Sequence, residues 1–213
     1  MKKVLFSLSL VLFTFWVSGC NSNTPDTENL DFAARYEEGS YKSMFAQALI
    51  NESDSRSSEV EEVDLSEQKT QIENTLSIQA LSLINLIDSI IENENFSIEE
   101  SISKIEEAKQ MTKSLNEEEA LYIELYADSA SVALEYYSSL EETNRGLFSW
   151  FKKNMRVIRA AVSGAIGAIT GAILGYAAGG VVPAIAGAIA CGGASAAYGY
   201  KSNGIGVTIS KKG

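Results

Sequence analysis

The sequence predicts a mostly α-helical protein, in which a small acidic helical bundle is followed by a cationic amphipathic helix and a Gly/Ala-rich helical hairpin. Apolar residues recur at three- and four-residue steps between residues 64 and 140, as on one face of a helix. All 28 acidic residues precede residue 146, whereas seven of the 17 Lys and Arg residues follow it. Residues 160–200 contain no charged residue, which is enough length for two membrane-spanning helices.

Residues 1–19 have the form of a signal peptide. A basic pair is followed by an apolar stretch over residues 4–17 and by two small residues immediately before Cys20. This ending resembles a bacterial lipobox, with Val17 at the position where leucine is commonest. The resemblance implies acylation of Cys20 and a lipoprotein anchored at the bacterial outer membrane or cell surface. An ordinary secretory signal followed by a chance cysteine is the alternative.

Residues 20–62 are predicted to be a tether that contains one short helix. Residues 21–27 are polar with a proline, and residues 51–58 are rich in serine and charge. Neither stretch can bury enough apolar area to offset the entropy lost on ordering. The apolar residues between positions 41 and 50 predict the short helix.

Residues 63–145 are predicted to form an acidic helical region with three amphipathic helices. The first extends over residues 64–93, the second begins with a capping box at Ser97, and the third begins at Asn116. Short polar links between these helices favour antiparallel packing as a small bundle. The many glutamates are most simply a solvated face, and the alternative is that some of them pair with the cations of the C-terminal region.

No catalytic, metal-binding or cofactor-binding site is expected, and the protein is predicted not to be an enzyme. The chain contains no histidine, which removes His-based general acid–base catalysis and His metal ligands. Acylation of Cys20 leaves Cys191 with neither a disulfide partner nor an adjacent base. Nucleic acid is not an expected partner, because the C-terminal cations flank a neutral stretch instead of forming a basic stripe.

Residues 146–159 form an amphipathic helix when they are placed at ~100° per residue. Its apolar face carries aromatic residues and its opposite face carries four cations, a pattern typical of helices that lie in a membrane interface. Anionic envelope lipid is therefore the expected partner, and the alternative is a helix packed on the bundle with its cations in water. The predicted membrane-binding residues are Trp150, Phe151, Lys152, Lys153, Arg156 and Arg159.

Residues 160–200 predict two helices joined by a tight turn, because Gly179-Gly180 and Pro183 interrupt the stretch near its middle. Small residues recur every four positions, which gives each helix a smooth stripe for close packing in lipid and for self-association. A buried helical hairpin in a soluble fold is the alternative. The predicted packing positions are Ser163, Gly167, Gly171, Gly175, Gly179, Gly187 and Gly199.

The layout of residues 146–213, with an aromatic cationic start, GxxxG steps and a basic end, resembles a membrane-active bacteriocin of the glycine-zipper kind. Together with Cys20, it makes the whole chain similar to the proteolytically activated lipoprotein toxin precursors of gut Bacteroidales. The resemblance implies that an arginine-specific protease cuts between Arg145 and Gly146, with Arg56 as the alternative position. The released C-terminal fragment would then disrupt target membranes. The principal alternative is a non-enzymatic structural lipoprotein whose tail stays inserted or oligomerises.

Overall fold

The computed structural model describes residues 32–54, 65–143 and 150–201. Within these residues it contains seven α-helices and no β-strand, so the predicted fold class is confirmed. A short 3-10 helix, Gln110–Ser114, follows the fourth α-helix. The α-helices are α1 (Tyr41–Asp54), α2 (Leu65–Thr75), α3 (Ile78–Ile91), α4 (Ile98–Lys109), α5 (Glu117–Thr143), α6 (Trp150–Gly179) and α7 (Val181–Lys201).

Helix α1 belongs to the core, which corrects the prediction of a tether for residues 32–54. The side chains of Phe45, Leu49 and Ile50 are fully buried, and the helix extends four residues beyond the predicted end. Its apolar stripe is narrow, and the surfaces that cover it belong to α5 and α7, far away in the sequence. Local composition therefore understated how much apolar area this segment buries.

A break at Ser77 divides the single helix that the sequence predicted over residues 64–93. The backbone of Ser77 is extended, and its Oγ accepts a hydrogen bond of 3.3 Å from the N–H of Ala80. Its own N–H donates to a carboxylate oxygen of Glu119 at 2.6 Å. The N-terminal cap of α3 thus outweighs a continuous apolar periodicity, and α2 and α3 pack on the rest of the fold as separate helices.

The predicted starts of the next two helices are confirmed. At α4, the N–H of Ser97 donates to Oε2 of Glu100 at 2.8 Å, and the N–H of Glu100 donates to Oγ of Ser97 at 3.2 Å. At α5, the N–H of Glu119 donates to Oδ1 of Asn116 at 2.8 Å. These hydrogen bonds satisfy amides that have no intrahelical partner. Because the bonded residues are only three positions apart, both helix starts can be predicted from the sequence.

One hydrophobic core joins the acidic and cationic halves of the chain. Helix α6 lies in it, with Ala160, Ala165 and Ile169 fully buried, and is contacted by α2, α3, α5 and α7. Helix α1 packs on the other member of the C-terminal pair, α7. We call α1–α5 the body and α6 with α7 the hairpin. The hairpin is therefore packed against the body in a shared core instead of following it as a separate unit.

Ion pairs tie α1, α4 and α5 together on one side of the body. Lys109 Nζ lies 2.6 Å and Lys42 Nζ lies 3.4 Å from Oδ1 of Asp128, and Lys42 also pairs with Glu106. Burial alone would lower the pKa of Lys42, but the hydrogen bond to Glu106 and the charge of Asp128 raise it. Because these side chains are partly buried, their attraction is screened less than that of surface pairs.

Replacing Phe45 should measure how strongly α1 is held. Phe45→Ala is expected to lower the free energy of unfolding of the full chain by about 3–5 kcal/mol, because a fully buried ring is lost and a cavity remains. Met44→Ala is the matched control, since Met44 is adjacent on the helix and 39% exposed. Denaturant titration checks both variants. Equal, small losses would mean that α1 does not belong to the core.

Candidate functional site

The hairpin turns at Gly180, whose φ of +88° is a conformation that residues with a Cβ rarely adopt. The N–H of Gly180 donates to the carbonyl oxygen of Tyr176 at 2.8 Å, which closes the end of α6. Pro183, which was expected to contribute to the break, lies in the first turn of α7, where a missing N–H loses no intrahelical bond. The predicted amphipathic helix and the first hairpin helix form one continuous helix, α6.

The backbones of α6 and α7 approach each other closely along the stripe of small residues. A Cβ atom added to Gly171 would lie 2.5 Å from the carbonyl carbon of Gly187 and closer still to its oxygen. A Cβ atom on Gly175 would lie 2.5 Å from the carbonyl carbon of Pro183. We call this contact the glycine seam. Such an approach allows dispersion contacts between the two backbones along the whole interface.

The remaining predicted packing positions also lie between α6 and α7. A Cβ atom on Gly199 would lie 2.7 Å from Oγ of Ser163, and one on Gly167 would lie 2.6 Å from the carbonyl oxygen of Cys191. Near the turn, a Cβ atom on Gly179 would meet only the ring of Pro183, at 3.1 Å. The structure thus brings all seven positions onto one interface, whose two sides are α6 and α7 of the same chain.

Helix α5 contacts the hairpin through buried tyrosines. The ring of Tyr122 meets the ring of Tyr176 on α6 edge to face, with centroids 5.8 Å apart. About four turns further along α5, the ring of Tyr137 stacks on that of Tyr200 on α7, with centroids 4.4 Å apart. Each such pair contributes about 0.5–1.5 kcal/mol beyond burial of its area. Helix α5 therefore holds both helices of the hairpin, near the turn and near the open end.

Helix α1 covers α7 at two adjacent glycines that the sequence analysis did not single out. A Cβ atom on Gly192 would lie 2.7 Å from a ring carbon of Phe45, and one on Gly193 would lie 3.1 Å from Cβ of Ala48. At the end of α7, Lys201 Nζ donates to the backbone oxygen of Glu52 at 3.2 Å. The only sequence signal for this contact is the glycine doublet, which departs from the four-residue repeat.

The first turns of α6 carry the predicted membrane-binding residues. Arg156 is exposed and Arg159 is half-buried, with its Nε–H donating to the carbonyl oxygen of Met155 at 3.0 Å. Of the apolar residues in these turns, Met155 is 43% exposed and Val157 is buried. The side chains of the other four predicted residues, Trp150, Phe151, Lys152 and Lys153, lie outside the described residues.

The predicted lipidation and cleavage positions, Cys20, Arg56, Arg145 and Gly146, also lie outside the described residues. Their place in the chain is nevertheless bounded by helices. Arg145 and Gly146 fall between the end of α5 and the start of α6, and therefore between the body and the hairpin. Arg56 falls between α1 and α2. A cut at either predicted cleavage position would leave every described helix whole.

A buried carboxylate lies where the body meets α6. Asp88 on α3 is 8% exposed and accepts a hydrogen bond from the hydroxyl of Tyr126 on α5. Together with Lys69 of α2 and Ile166 of α6, it lines a cavity of about 280 Å³. Burial raises the pKa of Asp88 to about 6; the hydrogen bond from Tyr126 and the charge of Lys69 oppose the rise, and the charge of Glu92 adds to it.

By length and composition, both hairpin helices could cross a membrane, over Met155–Gly179 and Val181–Lys201. Most of the first segment is buried in the fold, as is a smaller part of the second. Comparison with protein-family models, with curated proteins and with solved structures finds no match to this chain. The chemistry of the hairpin and of the surfaces that hold it is therefore the basis for a functional proposal.

A side chain placed in the glycine seam should separate the two hairpin helices. Gly171→Ala is expected to lower the free energy of unfolding by about 1–3 kcal/mol, because the new Cβ would overlap the backbone of Gly187. Gly179→Ala is the matched control and should be neutral or stabilising, since only the ring of Pro183 must move and helix propensity improves. Thermal or denaturant unfolding compares the two. Similar stability for both variants would contradict the seam.

The raised pKa of Asp88 predicts that the fold loses stability as pH rises through about 6. The protonated form is favoured in the folded state, so its contribution is complete below pH ~4 and lost above the folded pKa. Asp88→Asn should therefore raise the free energy of unfolding at pH 7.5 by about 2–3 kcal/mol and flatten its pH dependence between about pH 4 and 6. Glu94→Gln, at an exposed position, is the control. An unchanged pH profile in Asp88→Asn would sink this prediction.

Proposed function

We propose that this chain is an antibacterial toxin precursor. It is a surface lipoprotein whose acidic body stores the cationic hairpin, and proteolysis after Arg145 frees the hairpin to disrupt the membrane of a target bacterium. The observation that carries the proposal is that the body and the hairpin share one core, which covers most of α6 and part of α7, two apolar helices of membrane-spanning length. The hairpin is covalently joined to that body through residues 144–149, which lie between α5 and α6.

The distribution of charge supports storage followed by release. Residues 1–145 contain all 28 acidic residues and ten of the 17 basic ones, a formal net charge of −18, whereas residues 146–213 carry +7. While the two parts are joined, the field of the body offsets that of the hairpin and keeps an apolar segment in a soluble, acidic protein. After separation, each cation near an anionic membrane surface contributes about 1 kcal/mol to binding.

The packing supports the same sequence of events. The large apolar side chains of α6, Ile166, Ile169 and Ile173, are buried in the shared core. Once the hairpin leaves the body, these side chains require another apolar surface, and the hydrocarbon of a bilayer provides one. The glycine seam lies within the hairpin, so the two helices can remain paired in lipid, where small residues allow close helix packing. Because the body covers most of α6, the structure favours a hairpin that is stored against the body over the permanently inserted tail of a structural lipoprotein.

The acyl anchor implied at Cys20 belongs to the body in this proposal. It keeps the body at the surface of the producing cell, while the fragment that begins at Gly146 is free to diffuse. Two acyl chains or more are needed for stable anchoring, as in a processed lipoprotein. Cleavage would therefore give two products, an acidic one that stays bound to the membrane and a cationic one that is released.

Replacing Arg145 tests the proposal. Arg145→Ala should abolish the fragment that begins at Gly146, leave the full-length chain in the membrane fraction, and reduce killing of neighbouring bacteria to background. Arg145→Lys keeps the charge and should behave in the same way if the protease is arginine-specific, whereas Arg56→Ala should still release the fragment. Intact-mass analysis of the culture medium and a co-culture survival assay provide the readouts.

Two outcomes would count against a toxin precursor. Killing by Arg145→Ala at the wild-type level, with the same fragment pattern, would exclude this cleavage position. A wild-type chain that remains full length in the membrane fraction and never kills would favour the structural lipoprotein instead.

A further inference from the structure

We infer that the turn end of the hairpin is the surface by which this protein docks on a lipid bilayer. We call this surface the tip, and it consists of Leu174, Ala177, Ala178, Val181, Val182 and Ala186, on both sides of Gly180. The inference deepens the proposed function and rests on it, because it names the part of the hairpin that meets the membrane first.

The body leaves the tip uncovered. Val182 is 78% exposed, Leu174 is 54% exposed and Val181 is 51% exposed. On α6, every residue from 160 to 173 is buried, and the first exposed residue after them is Leu174. Three large apolar side chains therefore face outwards within one turn of each other, a grouping that a soluble surface does not require.

Charge is absent from the tip and concentrated at the opposite end of the hairpin. Residues 160–200 contain no charged residue, and Arg159 and Lys201 flank this stretch at the open end. At ~1.5 Å per residue, the 20 residues of α6 after Arg159 span about 30 Å, which is the thickness of a bilayer's hydrocarbon layer. A tip-first approach thus brings apolar residues to the hydrocarbon and leaves the cations at the level of anionic headgroups.

The backbone at the turn also suits an apolar environment. The N–H of Gly180 is used in a hydrogen bond to the oxygen of Tyr176, and the N–H of Ala184 donates to the oxygen of Gly180 at 3.1 Å. Pro183, in the first turn of α7, has no N–H that would need a partner. These three residues therefore bring no unpaired N–H group into lipid, where each unsatisfied amide is costly.

A bilayer fits the tip better than a second copy of the chain does. A stable protein interface buries roughly 800 Å² on each partner and combines an apolar centre with a polar rim. The tip offers three large apolar side chains and several alanines, with no charged residue to fix an orientation. Lipid requires apolar area and no defined shape, which is what the tip presents.

A fluorescent probe at the tip tests where it goes. The full chain carrying Cys20→Ala and Cys191→Ser has no acyl anchor and no native thiol, so that Val182→Cys can be labelled with an environment-sensitive dye. Vesicles of phosphatidylethanolamine and phosphatidylglycerol should shift the emission of this dye to the blue. The same dye on Ile78→Cys is the matched control, because Ile78 is 84% exposed on α3 of the body and should stay in water.

A charge at the tip tests whether docking depends on it. Val182→Asp should weaken partitioning of the full chain onto these vesicles about tenfold, the size expected when burial of one valine is lost. Ile78→Asp should partition as the wild type does. Both positions are exposed, so that equal unfolding midpoints for the two variants confirm that the fold is intact.

The outcomes separate this inference from the proposed function. Equal partitioning of Val182→Asp and wild type, or a dye at position 182 that stays in water with vesicles present, overturns docking by the tip. A blue shift that depends on protein concentration without vesicles assigns the tip to a second copy and also overturns it. Dye release from loaded vesicles after cleavage tests membrane disruption separately: its absence beside normal docking counts against the proposed function alone.

Discussion

The direct contact between the backbones of α6 and α7 is the constraint on which the rest of the structure depends. Because no side chain stands between Gly171 and Gly187, the hairpin is thin enough for one helix, α5, to contact both of its helices. A Cβ in the seam would move α7 away from α6. Helix α5 could then no longer keep its tyrosine contacts with both Tyr176 on α6 and Tyr200 on α7. The glycine seam therefore determines how α5 packs on the hairpin as well as how α6 packs on α7.

Three tyrosines of α5 make polar contacts with the body through their hydroxyls, and one of these three makes an apolar contact with the hairpin through its ring. The hydroxyl of Tyr122 donates to Glu118 at 2.7 Å, that of Tyr126 donates to Asp88, and that of Tyr136 lies 2.6 Å from Oγ of Ser53. All of these partners belong to the body, whereas the ring of Tyr122 meets the hairpin. Departure of the hairpin would leave these hydrogen bonds in place and expose mainly aromatic carbon. The hydrogen bonds of these three tyrosines, which are costly to leave unmade, would thus stay formed when the hairpin leaves the body.

The parts of the fold that could be read from the sequence are those that local interactions determine. The starts of α4 and α5 depend on side chains three residues apart, and the four-residue spacing of small residues defines a helix face without reference to its partner. The break at Ser77 and the burial of α1 depend on distant groups, Glu119 for the former and Gly192 of α7 for the latter. Periodicity cannot show such partners, which is why one helix was predicted in place of two, and why the short helix at residues 41–50 was assigned to a tether instead of to the core.

The contact between α6 and α7 differs from the contact between the hairpin and the body. The seam packs backbone against backbone, whereas the surface between the body and α6 contains an ionisable carboxylate, Asp88, and a cavity of about 280 Å³. Tyr137, whose ring stacks on α7, has a buried hydroxyl with no hydrogen-bond partner among the described residues. A buried carboxylate and an unsatisfied buried hydroxyl both reduce stability. Because these groups lie where the body contacts the hairpin and not inside the seam, the boundary along which the proposed function requires the hairpin to leave is less favourably packed than the seam itself.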